Sequence, residues 1–218
     1  MCGRYTFDHD EDLAKVRVIQ TYIQQRFGEA RAAELKTGEI FPTNEVPILL
    51  TAEADPLAEP PAAARAASLD RHGAEDLIAI PMVWGFPGFK GSQVLINARQ
   101  ETVAEKQTFS ESFAMRRCVI PTTGFIEWSH DARDKAVDKF RFNAGDDRML
   151  YLAGIYTWHE DELRFVILTT DANESMASVH NRQPVILDSG MIRPWIMDLN
   201  AAEELKQLPG PEMVRSLI

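Results

Sequence analysis

The sequence predicts an α+β fold in one strand-rich domain with peripheral helices. Seven short runs of β-branched and aromatic residues, from "LIAIPMVWGF" to "LRFVILTT", fill the middle of the chain and are separated by turns. Helical patterning is confined to the two ends and to one short segment between strands. The 218 residues are 45% hydrophobic and 26% charged, which suits an ordinary soluble protein with a core of normal size.

The first long element is "DHDEDLAKVRVIQTYIQQRFGEA", patterned as an amphipathic helix. Leu13, Val16, Ile23 and Phe27 share one face and Ile19 borders it. Asp8 or Asp10 is the expected cap and Gly28 the expected end. "FPTNEVPILL" opens with turn residues and runs into a strand. Residues 52–76, rich in alanine, proline and charge without a period, read as a loop excursion inside a single domain spanning 1–218. Apolar strands resume directly after it. "LIAIPMVWGF", "VLIN", "RCVI", "FIEW", "KFRF", "MLYLAGIYTW" and "LRFVILTT" then predict a sizeable mixed or antiparallel sheet. "TFSESFAMR" predicts a short helix capped by Thr108 or Ser110, and "IRPWIMDLNAAEELKQL" one or two helices.

Composition narrows the function classes. No apolar run approaches the ~20 residues that span a bilayer. No basic stretch followed by an apolar one marks a signal peptide. The expectation is a cytoplasmic protein without membrane contact, most simply a monomer. Cys2 and Cys118 form neither a disulfide framework nor a zinc pattern, and no metal or organic cofactor is implied. Cys118, in "RRCVI", reads as a core thiol without chemistry. The net charge of −10 argues against broad non-specific binding to nucleic acid, which rests on neutralising phosphates. A local basic groove remains open to Arg4, Arg99, Arg116, Arg117 and Arg182. By charge alone these read as surface groups paired with the excess of acids.

Four stretches carry candidate chemistry. "MCGRY" sets Cys2 behind the initiator; trimming Met1 would expose an α-amine and a thiol on one residue, a reagent for aldehydes. "LINARQET" holds Asn97, Arg99 and Glu101 past an apolar strand, "RRCVIPTTGFIEW" sets Glu127 between Ile126 and Trp128, and "TTDANESMASVHNRQPVIL" places His180 and Arg182 before a proline-led strand. Each alone has an ordinary reading: a frayed terminus, a turn asparagine, a solvent-facing glutamate, a surface histidine.

Together with "PTNEVPIL" and "VWGF" these blocks, in this order from residue 1 to about residue 187, resemble the SOS response-associated peptidase (SRAP) family of abasic-site processing proteins. The resemblance implies a protein that senses abasic sites in single-stranded DNA and forms a covalent thiazolidine crosslink through Cys2, shielding the lesion. It implies acid/base roles for Glu127 and His180 and an orienting amide at Asn97. Arg4, Arg99 and Arg182 would be phosphate contacts, and Trp84 and Trp128 surfaces for exposed bases. For Trp84 plain core packing stands level with base contact. An α-amine of pKa ~8 offers a neutral fraction near pH 7 that a lysine does not. The family name also implies a cysteine-type peptidase acting on its own N-terminus or other proteins. A passive single-strand binding module is a third reading. Three positions depart from the family pattern: Phe86-Pro87-Gly88-Phe89 follows Gly85, Ile126 stands where an aromatic is common, and Gln183 precedes Pro184 where methionine is usual.

Overall fold

The computed structural model describes residues 3–8, 13–58, 77–88, 91–130, 135–145 and 148–218. Cys2, Asp10 and most of the 52–76 excursion lie outside the described residues.

The chain begins with β1 (Arg4–Phe7), followed by helix α1 (Leu13–Phe27). Val16, Ile19 and Ile23 bury the predicted face of α1, and Tyr22 joins them. Gly28 ends the helix at φ 90°, a left-handed conformation that glycine takes without cost, and a second short helix, α2 (Glu29–Glu34), starts directly after it. The helix ends at the expected Gly28, and the short helix after it carried no separate signal in the sequence. Next come β2 (Gly38–Ile40), β3 (Glu45–Thr51), β4 (Leu77–Trp84), β5 (Phe86–Pro87), β6 (Val94–Leu95) and β7 (Asn97–Arg99). Gly85 turns the chain between β4 and β5 at φ 114°; a Cβ there would meet Val94 Cγ1 at 2.1 Å.

Helix α3 (Ser110–Met115) follows, with Phe109 and not Thr108 or Ser110 at its N-cap, and without a side-chain cap bond. Strands β8 (Arg117–Thr122), β9 (Gly124–His130), β10 (Ala136–Asn143), β11 (Leu150–His159) and β12 (Glu162–Asp171) form the centre. The C-terminal part holds α4 (Glu174–Ala177), β13 (Arg182–Pro184), β14 (Ile186–Leu187), α5 (Ile192–Met197), α6 (Leu199–Leu205) and β15 (Val214–Leu217). Asp198 separates the last two helices and caps α6 through the Asn200 and Ala201 N–H groups.

The fold is α+β, and its strands form two main sheets. In one, β12, β4, β3, β8 and β11 pair in succession and β11 pairs back to β12, closing a five-strand ring. Every contact in the ring is antiparallel except β4–β12, so the sheet is mixed. β7 runs parallel to β12 above β4, and β13 and β14 extend the ring on the other side. Closure leaves these five strands without a bare edge. Cys118, Ile120, Leu152, Ile155, Phe165 and Ile167 are fully buried in it, and burial pushes the Cys118 thiol well above its ordinary value.

The other sheet is antiparallel in the order β15-β10-β9-β1-β2. Only Thr123 separates β8 of the ring from β9 of this sheet. The corner is pinned by Thr6, whose carbonyl accepts from Thr122 Oγ1 at 2.7 Å and from the Thr123 N–H at 2.9 Å. This pin holds β1, and with it the start of the chain, against β9.

Candidate functional site

Glu127 is the most unusual side chain of β9. It is 2% exposed, although alternation would allow a glutamate in an apolar strand to face water. Burial pushes its carboxyl above the ordinary carboxylate value; the Trp128 backbone N–H and His130 pull the other way. Its strand neighbour Ile126 faces Arg4 of β1, while Glu127 itself faces Phe140 of β10. Cys2 lies outside the described residues, one residue before Gly3.

His180 sits in the loop from α4 to β13, half-buried. Its Nδ1 meets both backbone groups of Arg182, the N–H at 2.9 Å and the carbonyl at 3.2 Å, so one residue fixes this edge of the ring in either tautomer. Burial lowers its pKa below the ordinary histidine value, with the charges of His130 and Arg182 acting in the same direction. The His130 ring, at the end of β9, lies 6.5 Å from the His180 ring, edge on. His130 therefore links the strand of Glu127 to the loop of His180, a juxtaposition that no sequence motif signalled.

Asn97 begins β7 opposite Ile167, half-buried, and Arg99 ends the same strand opposite Thr169, exposed. Glu101 follows and meets Arg182, which is only 7% exposed. The Arg182 guanidinium donates to both Glu101 oxygens at 2.5 and 2.9 Å, to Asp171 at 2.6 Å and to the Thr169 carbonyl at 2.7 Å. It holds the Glu101 carboxyl below the usual carboxylate range. Arg182, of which a phosphate contact was expected, clasps β7, β12 and β13 together, its Nη1 and Nη2 donors directed at protein oxygens.

Of the two readings level for Trp84, its surroundings favour core packing. It is 0% exposed, stacks against Phe165 at 6.3 Å and donates from Nε1 to the Ile96 carbonyl at 3.0 Å. It is a core residue that no base can reach. Trp128 is different: half-buried on β9, it lies under the Arg4 guanidinium at 5.0 Å and Lys139 Nζ at 5.8 Å. Arg4 also lies 4.4 Å from the ring centre of Phe41, which is 38% exposed. Glu39 accepts from Arg4 at 2.9 Å and from Lys139 at 3.2 Å. Lys139, Phe41 and Glu39 escaped the sequence reading because their positions beside Trp128 depend on strand pairing. Of the remaining arginines, Arg116 pairs with Glu111 at 3.0 Å, and Arg117 is buried.

Among the described residues, no group of three or more His, Cys, Asp and Glu is arranged to hold a metal ion. No described helix is long and apolar enough to cross a membrane.

The family profile described as SOS response associated peptidase (SRAP) matches residues 1–216. The chain belongs to this family. Its sequence is 31% identical over 135 residues to the abasic site processing protein YoqW of Bacillus subtilis, covering 57% of this chain and 59% of that protein. It is 27% identical over 139 residues to the abasic site processing protein YedK of Escherichia coli, covering 62% of each. A third SRAP relative, the abasic site processing protein HMCES of Xenopus tropicalis, is 27% identical over 46% of this chain and 37% of its own length. The chain thus spans about three fifths of the bacterial relatives it matches. The SRAP chain superposes over its whole length on a Bacteroides thetaiotaomicron protein, with a TM-score of 0.69, 19% identity and 92% of that chain covered. A phage-related protein of Bordetella bronchiseptica gives a TM-score of 0.65 at 22% identity, with all of this chain and 94% of that one covered.

Proposed function

We propose that this SRAP protein captures abasic sites in single-stranded DNA as a covalent adduct on Cys2 after removal of Met1. The observation that carries the reading is the seat of Glu127: a buried carboxyl with a raised pKa, next along β9 to the residue that faces Arg4. Only Gly3 separates Arg4 from Cys2, and two chain steps reach about 7 Å. The printed names of the SRAP relatives, abasic site processing proteins, point to the same substrate.

In this reading the Cys2 α-amine adds to the aldehyde carbon of the ring-opened sugar. Water leaves as the imine forms. The thiol sulfur then adds to the imine carbon, its proton passes to nitrogen, and a five-membered thiazolidine closes. Both nucleophiles belong to one residue, so ring closure is intramolecular and gains a high effective concentration. Glu127, whose pKa burial raises, is the proton donor to the sugar oxygen and the departing water. His180, held neutral, exchanges protons at the sugar. Asn97 orients the amine or a sugar hydroxyl. Arg4 and Arg99 contact phosphates, and Trp128 offers a face to an exposed base. Arg182 and Trp84 support the site from within the protein.

Incubating the protein with an abasic single-stranded oligonucleotide tests this: a band resistant to denaturant is expected, and intact mass should show Met1 missing. Retaining an N-terminal tag should abolish the band. Cys2→Ala should still yield an imine that borohydride traps, but no stable adduct. Undiminished crosslinking by the tagged protein would overturn the aminothiol mechanism; a thiol-dependent, tag-tolerant cleavage of peptides would favour the peptidase reading.

A further inference from the structure

The loop that carries His180 is not held by its own helix. Helix α4 is four residues long, too short to be stable by itself. Its polar side chains turn instead toward a segment 36 to 38 residues further along the chain. Asn173 Nδ2 donates to the carbonyls of Pro209 and Pro211 at 3.3 and 2.8 Å. Ser175 Oγ accepts from the Met213 N–H at 3.1 Å, and Ser178 Oγ accepts from Arg215 Nη1 at 2.5 Å. From the other side of His180, the side chain of Gln183, 0% exposed, donates from Nε2 to the Pro209 carbonyl at 2.7 Å and accepts the Asn173 N–H at 2.9 Å.

The same segment continues into β15, which pairs with β10 at Phe140–Leu217 and Phe142–Arg215. Phe140 is also the residue that faces Glu127 across β10 and β9. The Arg215 guanidinium carbon stands 5.6 Å from the Phe140 ring centre while its Nη1 binds Ser178. One stretch of chain therefore grips both sides of the His180 loop and is fastened to the strand behind Glu127.

We infer that residues 209–217 are a strap that positions His180 relative to Glu127, and that Gln183 is its buried anchor. The inference rests on the proposed roles of those two groups in abasic-site capture. It also gives a reason for one departure noted in the sequence: a methionine before Pro184, usual in the SRAP pattern, would fill the same space but could neither bond Pro209 nor hold the Asn173 N–H. Gln183 and the strap read as a matched pair in this chain. His180, Arg215 and Gln183 are thus related as acting group, outer fastening and inner anchor; the latter two are positioning residues and touch no substrate.

Gln183→Met tests the anchor with volume kept, and Arg215→Ala tests the fastening from the exposed side, where folding is at little risk. The first readout needs no DNA. In the parent, the His180 imidazole nitrogens should show the ¹⁵N shifts of a single tautomer at neutral pH, its Nδ1 fixed by the Arg182 backbone. Amides from 174 to 182 should exchange slowly. In both variants the nitrogen shifts should move toward tautomer averaging and those amides should exchange faster, while amides of β11 and β12 keep their protection. Arg215→Lys should restore the parent spectrum in large part. The second readout is crosslinking to abasic single-stranded DNA. It should slow on the order of 10-fold to 10²-fold in Gln183→Met, the scale expected when a reacting group is displaced by about 1 Å, with affinity for intact strands unchanged.

Parent-like His180 shifts and parent-like exchange in both variants would overturn the strap. Altered shifts with undiminished crosslinking would uphold the strap and remove His180 from the reaction. Failure of the parent protein to crosslink at all would sink the functional reading, and the DNA-free spectra would still decide the inference.

Discussion

Glu127→Gln separates the chemistry of a single residue from its packing. The amide matches the carboxyl in size but cannot deliver a proton, so capture of an abasic strand should slow by ~10²–10⁴ while affinity for intact DNA holds. Stability gives an independent check. The folded-state pKa of Glu127 is raised, so above the ordinary carboxylate value the native protein retains a proton that the unfolded chain has lost. Stability should therefore fall as pH climbs from about 4 through the folded value, and Gln should remove that slope. Thermal melts should show Glu127→Gln ahead of the parent at about pH 7 and level with it near pH 4. Arg99 and Arg182 make a second contrast. Arg99→Ala should weaken single-strand binding and lower the salt slope by roughly one. Arg182→Met should leave the slope alone and cost ~1–3 kcal/mol, because charge-assisted bonds to Glu101, Asp171 and the Thr169 carbonyl are lost, although that carbonyl keeps the Gln100 N–H and both carboxylates keep access to water. The sequence could name both arginines but could not tell them apart. Asp171 lies eleven residues before Arg182 and Glu101 eighty-one before it, and only the parallel pairing of β7 with β12 brings that clasp together. Trp84 and Trp128 were inseparable for the same reason, since the exposure of a tryptophan is decided by strands that are distant in sequence.

At the scale of elements, the long strands were legible because β-branched and aromatic runs are their own signal. Strands β11 and β12 coincide with the runs quoted for them. The two- to four-residue strands were not, since β5, β6, β13, β14 and β15 are too short to show alternation. The end of α1 was legible because glycine marks it, at Gly28, whereas the break at Asp198 left one or two helices open and the end of α3, completed from a neighbouring strand, was illegible. Arg117 of β8 donates to the Phe113 and Ala114 carbonyls of α3 and to the Trp195 and Ile196 carbonyls of α5. One guanidinium thus serves the open C-terminal carbonyls of two helices. Arg117→Leu keeps much of the bulk and removes every donor. It should lower the unfolding free energy by more than about 3 kcal/mol, since several buried carbonyls lose their partners at ~1–3 kcal/mol each, and urea titration should read this as a midpoint shift with little change of slope.

For the whole molecule, the decisive feature is the ring closed by β11 and β12, which no local pattern could announce: a mixed sheet and a closed one use the same kind of strands. Closure predicts a gradient of protection. Amides of β11, β12 and β8 should exchange with solvent only through global unfolding, whereas those of β2 and β15, at the two edges of the other sheet, should open locally. Equal protection factors across both sheets would contradict that order. The surplus of acids, net −10, acts at the same scale: if the proposed function holds, binding to single-stranded DNA should depend on local clusters of basic groups and weaken steeply as salt rises.

The placing of β1 has a mechanical meaning as well. It is an inner strand, hydrogen-bonded to β2 on one side and β9 on the other, and pinned at Thr6. A pull along β1 from the start of the chain would load its two ladders at once, so that its bonds must break together in shear. β15, with a single partner, would be peeled from β10 one pair at a time. A load applied between the two ends of the chain would thus strip the last strand, and with it the grip on the His180 loop, before it dislodged β1.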